Sequence, residues 1–315
     1  MTARVRRAVV TGAQGFLGRR LVRELTEAGM LVTGLARHGA PDSPCIAMGD
    51  GPWRAQDLAR IIEETEPDVV YHLAGRAVGS APQLQAANVD LARSVMDALV
   101  LAQARPLLVC CGSAAEYGGG VTDGEPTAET AACAPLTFYG ASKLAQTHAT
   151  LAFAQITGKP VLIARIFNPI GPSMPAHLAL ADFAQQIAAD GPSGKVLRTG
   201  NLDVARDFID VGLVARALHR LALHPAAAGV VNICSGRPMQ LAQLVAMLIA
   251  ASGRQVRLER DPMRVRPGEL RAIFGDPGLL SRLTGILPET DYPAVTELIW
   301  QDAAAYAAGR PRCMA

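Results

Sequence analysis

The run Val9-Val10-Thr11-Gly12-Ala13-Gln14-Gly15-Phe16-Leu17-Gly18 constrains the fold more than any other stretch. A short apolar segment ends in three glycines, with two residues between each and the next. Leu21, Val22, Leu25 and Ala28 then recur on one helical face, so the stretch reads strand, turn, helix. Gly12 lets the chain leave the strand sharply. Gly15 leaves room for a pyrophosphate against the backbone, and Gly18 lets the helix pack closely on the sheet. The first N–H groups of such a helix lack internal partners and face an anion. Gln14, Phe16 and Leu17, between the glycines, belong to the same expected cofactor cradle. The spacing is G-x-x-G-x-x-G rather than G-x-G-x-x-G, so the setting carries the reading more than the motif does.

Strand and helix patterns then alternate. Leu31 to Leu35 reads as a second strand ending at Ala36-Arg37-His38, where a dinucleotide fold meets the adenosine ribose. An acid there would accept from a 2′-hydroxyl. Arg37 is instead a planar fork suited to a 2′-phosphate, so NADP(H) is expected over NAD(H), the plain alternative being a solvated loop arginine. Ile46 to Met48 is a short third strand. Asp50 after it is placed either to accept from the adenine amino group or to cap a helix over Trp53 to Glu64. Asp68 to Ala74 is a fourth strand; Leu73, Ala74 and Gly75 pass the cofactor, and His72 is expected to be a packed residue. Gln85 to Gln103 is helical, with a stripe of Val89, Ala92, Val95, Met96, Leu99 and Val100. Asn88 inside it needs polar partners and is placed to hold a water or a carbonyl near the cofactor. Leu107 to Cys111 is a fifth strand. The repeating order implies an α/β, Rossmann-type doubly wound parallel sheet.

The pattern breaks at Gly112 to Pro135, a long loop holding Ser113, Glu116 and Tyr117 at the carboxyl end of a strand. A helix follows from Phe138 to about Thr157. It opens with Tyr139 and Lys143, four residues apart and so on one face. A free phenol is a poor acid–base group at neutral pH, and a neighbouring ammonium favours its phenolate. Such a lysine can also hold ribose hydroxyls. Glu116 is either a second acid–base group or a loop anchor.

Val161 to Phe167 is a sixth strand, with Phe167 at its cofactor end and Asn168 where the chain leaves the nucleotide domain. Helices are expected at Leu178 to Ala189, Val211 to Leu223, Leu241 to Ser252, Pro277 to Thr284 and Ala294 to Ala308. Strands are expected at Lys195 to Thr199, Val230 to Ile233 and Val256 to Glu259. Residues 1–168 form the dinucleotide domain, with 205–234 returning to it; 169–204 and 235–315 form mainly a substrate domain. Arg206, and the loop of Arg264, Arg266 and Glu269, supply guanidinium groups of the kind that grip a diphosphate.

Together these segments resemble the extended short-chain dehydrogenase/reductases that act on nucleotide sugars. The resemblance rests on Thr11-Gly12-x-x-Gly15-x-x-Gly18, Gly49-Asp50, His72-Leu-Ala-Gly75, Ser113-x-x-Glu116-Tyr117-Gly118 and Tyr139-x-x-x-Lys143. It continues through Arg165-Ile-Phe-Asn168, Arg206 to Val211 and Asn232 to Gly236. It implies that Tyr139 moves the sugar hydroxyl proton, Ser113 orients the same oxygen, and Lys143 tunes Tyr139 and holds ribose. It also implies that Asn168 meets substrate and that Arg266, with Arg206, pairs with the diphosphate. Members of the family reduce, epimerise or dehydrate. Its 4,6-dehydratases carry an acid just after the Ser or Thr, where this chain has Ala114 and Ala115. Its 4-epimerases keep NAD bound and usually place an acid where Arg37 stands. The motifs look most like the 4-ketoreductases of 6-deoxy-hexulose nucleotides, the GDP-6-deoxy-4-keto-mannose reductases being the nearest group. That group usually reads Phe-Asn-His after the sixth strand, and this chain departs from it with Asn168-Pro169. A non-catalytic NADP-binding regulator on the same fold would tend to lose the tyrosine that is present here.

Composition narrows the partners. A net charge of +2 over 315 residues argues against a nucleic-acid partner. No uninterrupted apolar run spans a bilayer, and the apolar segment after Arg4, Arg6 and Arg7 stops at Gly12, too soon for a signal peptide. The six cysteines show no metal-type spacing, which fits no metal and a reducing cytoplasm. By analogy with the family, a homodimer through the helices Gln85 to Gln103 and Tyr139 to Thr157 is expected.

Overall fold

The structure, a computed structural model, describes residues 6–39, 45–189, 195–265 and 269–309. In chain order the first half comprises β1 (Arg7–Thr11), α1 (Phe16–Glu27), β2 (Leu31–Ala36), β3 (Cys45–Ala47), α2 (Ala55–Thr65), β4 (Val69–His72), α3 (Ala81–Leu84), α4 (Leu91–Leu101), β5 (Leu107–Ser113), β6 (Pro126–Thr127) and α5 (Phe138–Thr157). The second half comprises β7 (Val161–Ile166), β8 (Asn168–Ile170), α6 (Ala179–Ala188), β9 (Lys195–Thr199), β10 (Ala205–Asp210), α7 (Val211–Leu223), β11 (Gly229–Ile233), β12 (Pro238–Gln240), α8 (Leu241–Ser252), β13 (Val256–Arg260), β14 (Ala272–Gly275), α9 (Gly278–Thr284) and α10 (Tyr292–Ala307).

Seven strands form one parallel sheet in the order β11-β7-β5-β4-β1-β2-β3. Its central strands are buried on both faces, as helix-covered parallel strands must be. On one face Leu21 and Leu25 of α1 pack with Val214, Leu218 and Leu221 of α7 and Leu280 of α9. On the other, Leu58 and Ile62 of α2 pack with Val95 and Leu99 of α4. The order reverses between β1 and β4, and in open α/β sheets ligands bind at such a point, outside the strands' carboxyl ends. The turn after β1 carries the three glycines.

A second sheet runs β12-β10-β14-β6, with β8 pairing β10; β9 and β13 form a separate parallel pair. Here α6, α8 and α10 enclose a core that includes Phe183, Ile187, Leu244, Leu248, Val295 and Ile299. Phe16, from the glycine turn, packs against this core and so joins it to the dinucleotide sheet.

Several expectations change in detail. Strand β10 pairs in the second sheet, so the segment returning to the seven-stranded sheet is α7 and β11. The segment Gly112 to Pro135 is not one loop: β5 runs on to Ser113, a 3-10 turn covers Ala114–Glu116, and β6 pairs with β14. The helix expected over Gln85 to Gln103 starts at Ala81 and is widened by a π-turn over Gln85–Asp90. Its apolar stripe is spent inside the chain: Val89, Ala92, Val95, Met96 and Leu99 are buried, and only Val100 of that set is exposed. Among the described residues no helix is long and apolar enough to cross a membrane.

Candidate active site

Gly12 has φ +71°, a conformation only glycine adopts freely, and a Cβ there would lie 2.8 Å from Ala74 N. Gly18 allows still closer packing, since its Cβ would meet Gly12 O at 2.1 Å. Gly15 differs: the sole neighbour of a Cβ would be Gly12 O at 3.1 Å, so the space beside it is open. Gly15 is the N-cap of α1 and no side chain caps that end, which leaves the first N–H groups for an anion. The Gln14 amide nitrogen is buried without a hydrogen-bond partner, a donor left over in the same turn. This cradle fits a dinucleotide diphosphate.

Around it, Ala74 N donates to Thr11 Oγ1 at 3.2 Å, and Leu73 N to Thr11 O at 3.3 Å. A Cβ on Gly75 would meet Asn88 Oδ1 at 2.6 Å. The π-turn seats Asn88, which is fully buried. It accepts from Arg76 N (2.8 Å) and donates to Arg76 O (3.0 Å) and Ser142 Oγ (2.8 Å), so the carbonyl expected of it is that of Arg76. Ser142 Oγ in turn donates to Tyr139 O at 2.8 Å, which ties the Gly75 segment to the first turn of α5. Leu17 packs in the sheet core. The Phe167 ring is buried with Tyr117 and Cys234.

At the far end of β2, Arg37 is exposed, and its carbonyl accepts from Gly49 N at 2.9 Å. Asp50 turns to His38, Oδ1 to Nε2 3.2 Å. It does not cap α2, whose N-cap is Arg54 with no side-chain cap; of the two roles read for Asp50, the helix cap is thereby removed.

Ser113 ends β5, and its Oγ accepts from Ala115 N at 3.2 Å. The first turn of α5 lies directly against this turn, since a Cβ on Gly140 would meet Ala115 O at 2.4 Å. Thr137 caps α5 by accepting from Gly140 N at 3.0 Å. The 3-10 turn after Ser113 and the N-terminus of α5 therefore sit side by side. Tyr139 is partly exposed, while Lys143 is buried and donates to Gln146 Oε1. Tyr117, the other tyrosine here, is fully buried and donates to Asn232 Oδ1 at 2.7 Å; burial pushes its hydroxyl up to about 12. It is unfit for proton transfer, and Tyr139 is the available phenol.

Glu116 is fully buried. Oε1 accepts from Ser113 N at 2.8 Å; Oε2 accepts from Thr147 Oγ1 at 2.9 Å and Arg165 Nε at 2.8 Å. Of the two roles read for it, these contacts suit the anchor.

The substrate-side candidates are partly engaged. Asn168 is exposed on β8 and donates to Asp207 O at 2.8 Å. Arg206 donates to Ala205 O (2.8 Å), Leu270 O (3.0 Å) and Glu269 Oε1 (3.1 Å), so two expected substrate contacts face each other. Arg266 lies outside the described residues.

Residue-by-residue reading missed Ser142, Gln146, Thr147 and Thr150, the buried polar face of α5. The signal was available: these residues lie three, four and seven positions from Tyr139 or Lys143, on one side of the helix. It also missed Arg165, hidden in an apolar strand.

His72 is packed, as expected. Its Nδ1 lies 2.9 Å from Thr11 Oγ1, and burial, helped by the Lys143 charge, pushes it down to about 3 from an ordinary 6.5. The native imidazole stays neutral while the unfolded one gains a proton below pH 6.5, so its contribution is full above pH 6.5 and is lost as pH falls toward 3. About 2 kcal/mol should be gone by pH 5. Thermal melts between pH 7 and pH 5 should show this slope, and His72→Leu should flatten it.

The profile of the NAD dependent epimerase/dehydratase family matches residues 8–234. A GDP-6-deoxy-D-mannose reductase of Pseudomonas aeruginosa is 33% identical over 232 residues, covering 71% of this chain and 76% of its own. A dTDP-6-deoxy-L-talose 4-dehydrogenase (NAD(P)(+)) of Kitasatospora kifunensis is 30% identical over 254 residues, covering 78% of this chain and 79% of its own. The solved structure of RMD from Pseudomonas aeruginosa complexed with NADPH aligns with a TM-score of 0.83 at 28% identity, covering 96% of this chain and all of that one.

Proposed function

The chain belongs to the NAD dependent epimerase/dehydratase family, and on that premise we propose that it is an NADPH-dependent 4-ketoreductase of a nucleotide-linked 4-keto-6-deoxy-hexose, GDP-linked in preference to dTDP-linked. The coarser activity, an NAD(P)-dependent nucleotide-sugar oxidoreductase, follows from the relatives and the fold. The observation that carries the finer reading is the pair of substitutions at its two deciding positions. Arg37 stands exposed at the end of β2, and Ala114-Ala115 follow Ser113. The first suits a cofactor that carries a 2′-phosphate and exchanges each turnover. The second leaves no acid for dehydration.

Bound NADPH supplies the hydride that reduces a C4 ketone. Tyr139 gives its phenolic proton to the C4 oxygen, Ser113 Oγ holds that oxygen, and Lys143 stabilises the phenolate until solvent returns a proton. Asn168 and the Arg206–Glu269 pair face the sugar nucleotide, with Arg266 as the further diphosphate partner. The test is NADPH oxidation at 340 nm with GDP- and dTDP-linked 4-keto-6-deoxy-hexoses in parallel. Oxidation with one establishes the reductase and names the nucleotide. Silence with both, with NAD released on denaturation, makes it a 4-epimerase.

Arg37→Ser should weaken NADPH binding roughly 10- to 100-fold by removing a charge-assisted contact, and leave NADH unchanged. Fluorescence titration measures both; equal losses would remove the 2′-phosphate role.

The same reading includes a homodimer. The outer face of α5 exposes the small residues Ala141, Ala145 and Ala152 and, at 83%, Ile156; Val100 and Leu101 of α4 are exposed as well. A second copy would cover this face. Light scattering should give twice the chain mass, falling to the chain mass in Ala145→Glu; a monomer at the outset removes the dimer.

A further inference from the structure

We propose that Glu116 and Arg165 form a buried strut that sets the position of Ser113 against the helix carrying Tyr139 and Lys143, and that both are positioning residues that carry no proton. The inference rests on the reading of Ser113, Tyr139 and Lys143 as the reacting group.

Three elements meet at one carboxylate. Glu116 takes Ser113 N from the end of β5, Thr147 Oγ1 from α5 and Arg165 Nε from β7, all within 2.9 Å. A carboxylate has about four acceptor sites, so three bonds nearly exhaust it. The Glu116 and Arg165 side chains are 0% and 5% exposed, which puts the pair beneath the cleft and out of reach of a substrate. Thr147 lies one helical turn beyond Lys143. A displacement of Glu116 would therefore be felt at Ser113 and at the catalytic helix together.

Arg165 is fixed from its other sides. Its guanidinium lies 4.6 Å over the Tyr117 ring, and Nη1 donates to Glu129 O at 3.4 Å. Tyr117 is in turn held by Asn232. Gly112 leaves the space the pair occupies, because a Cβ there would lie 2.6 Å from Glu116 Oε1 and 3.2 Å from Arg165 Cγ. Stability does not explain such a pair, since a buried ion pair gains little or nothing over apolar residues of the same size. Geometry does: small misplacements of reacting groups cost on the order of 100-fold in rate.

The test compares Thr147→Val, Glu116→Gln and the apolar double variant Glu116→Met/Arg165→Met with the parent enzyme. NADPH and GDP-4-keto-6-deoxy-mannose are the probes. Amide hydrogen exchange over residues 113–117 and 138–147 gives a readout independent of turnover. The double variant should fold and bind NADPH normally, with KM nearly unchanged and kcat down roughly 30- to 100-fold. Thr147→Val, which removes only the link to the helix, should lower kcat several-fold, and both segments should exchange faster at an unchanged melting temperature. In Glu116→Gln both limbs of the pH–rate profile should persist. Unchanged kcat and exchange in Thr147→Val, or in a folded double variant, would overturn the strut. Loss of one pH limb in Glu116→Gln, restored by formate, would make Glu116 a proton carrier and overturn it as well. Should the parent enzyme reduce neither this sugar nor its dTDP-linked counterpart, the reductase reading fails, and the exchange data still decide the strut.

Discussion

Tyr139→Phe should lower kcat for ketone reduction by about 100- to 10,000-fold, the usual range for a positioned general acid, and leave NADPH affinity within about twofold. The expectation is steep because, among the described residues, the neighbouring acids and phenols are engaged elsewhere. The two residues after Ser113 are alanines. Glu116 is turned inward onto Arg165, and Tyr117 is buried with its hydroxyl given to Asn232. Lys143 has its ammonium on Gln146, four residues along the same helix from Tyr139. NADPH oxidation and fluorescence titration on the same preparation separate the two effects. Turnover at the parent rate would move the proton to another group and remove Tyr139 from the mechanism. Loss of NADPH binding together with turnover would mean that the hydroxyl holds the cofactor, and its role would not be proton transfer alone.

The parts of this molecule legible in the sequence were those fixed by short-range patterns. Apolar runs bounded by glycine and charge marked every strand of the seven-stranded sheet to within a few residues, because parallel strands covered on both faces are mostly apolar. The helix expected from Phe138 to about Thr157 is α5, which the structure caps with Thr137 and closes on Gly158 at φ +65°. The second sheet was not legible. Pro126–Thr127, Asn168–Ile170 and Pro238–Gln240 are two or three residues long and contain proline. They have no periodicity to read, and their partners lie far off in sequence, as with Pro126 beside Phe274. Arg206 to Asp210 was read as a lead-in to a helix for the same reason: its strand character comes from neighbours on both sides.

The candidate site divides along the same line. Tyr139 and Lys143 are marked by their spacing after a nucleotide turn, and Ser113 by the family resemblance. What holds them does not show itself, because Arg165 in Val-Leu-Ile-Ala-Arg-Ile looks like an interruption of a core strand until Glu116 is placed opposite it. Asp50 shows the converse: its position left an adenine contact and a helix cap open, and the structure removes the cap by turning the side chain to His38.

Gly18→Ala should destabilise the fold by about 3 kcal/mol, the upper end for an overpacked site, and lower the melting temperature by roughly 4–5 °C. The added Cβ would stand 2.1 Å from Gly12 O and 2.9 Å from Ala13 Cα. These are backbone atoms, so no side-chain rotation relieves the clash. The turn itself cannot give way, because Gly12 is pinned at φ +71° against Ala74. Helix α1 must then move off the turn, and NADPH binding at its N-terminus should be lost with it. Gly15→Ala separates the two functions of this stretch. Gly15 has φ −71° and open space, so alanine there should leave the melting temperature within about 2 °C, a gain in chain stiffness offsetting the 3.1 Å approach to Gly12 O. Its methyl group would project into the space where a diphosphate has to approach the α1 N-terminus. NADPH affinity should fall about tenfold or more, equivalent to about 1.4 kcal/mol. Melting curves with and without NADPH report both numbers for both variants. A stable Gly15→Ala protein that binds NADPH as the parent does would place the diphosphate elsewhere. A Gly18→Ala protein with the parent melting temperature would mean that α1 can slide on the turn, and that the tight spacing of the three glycines serves the cofactor alone.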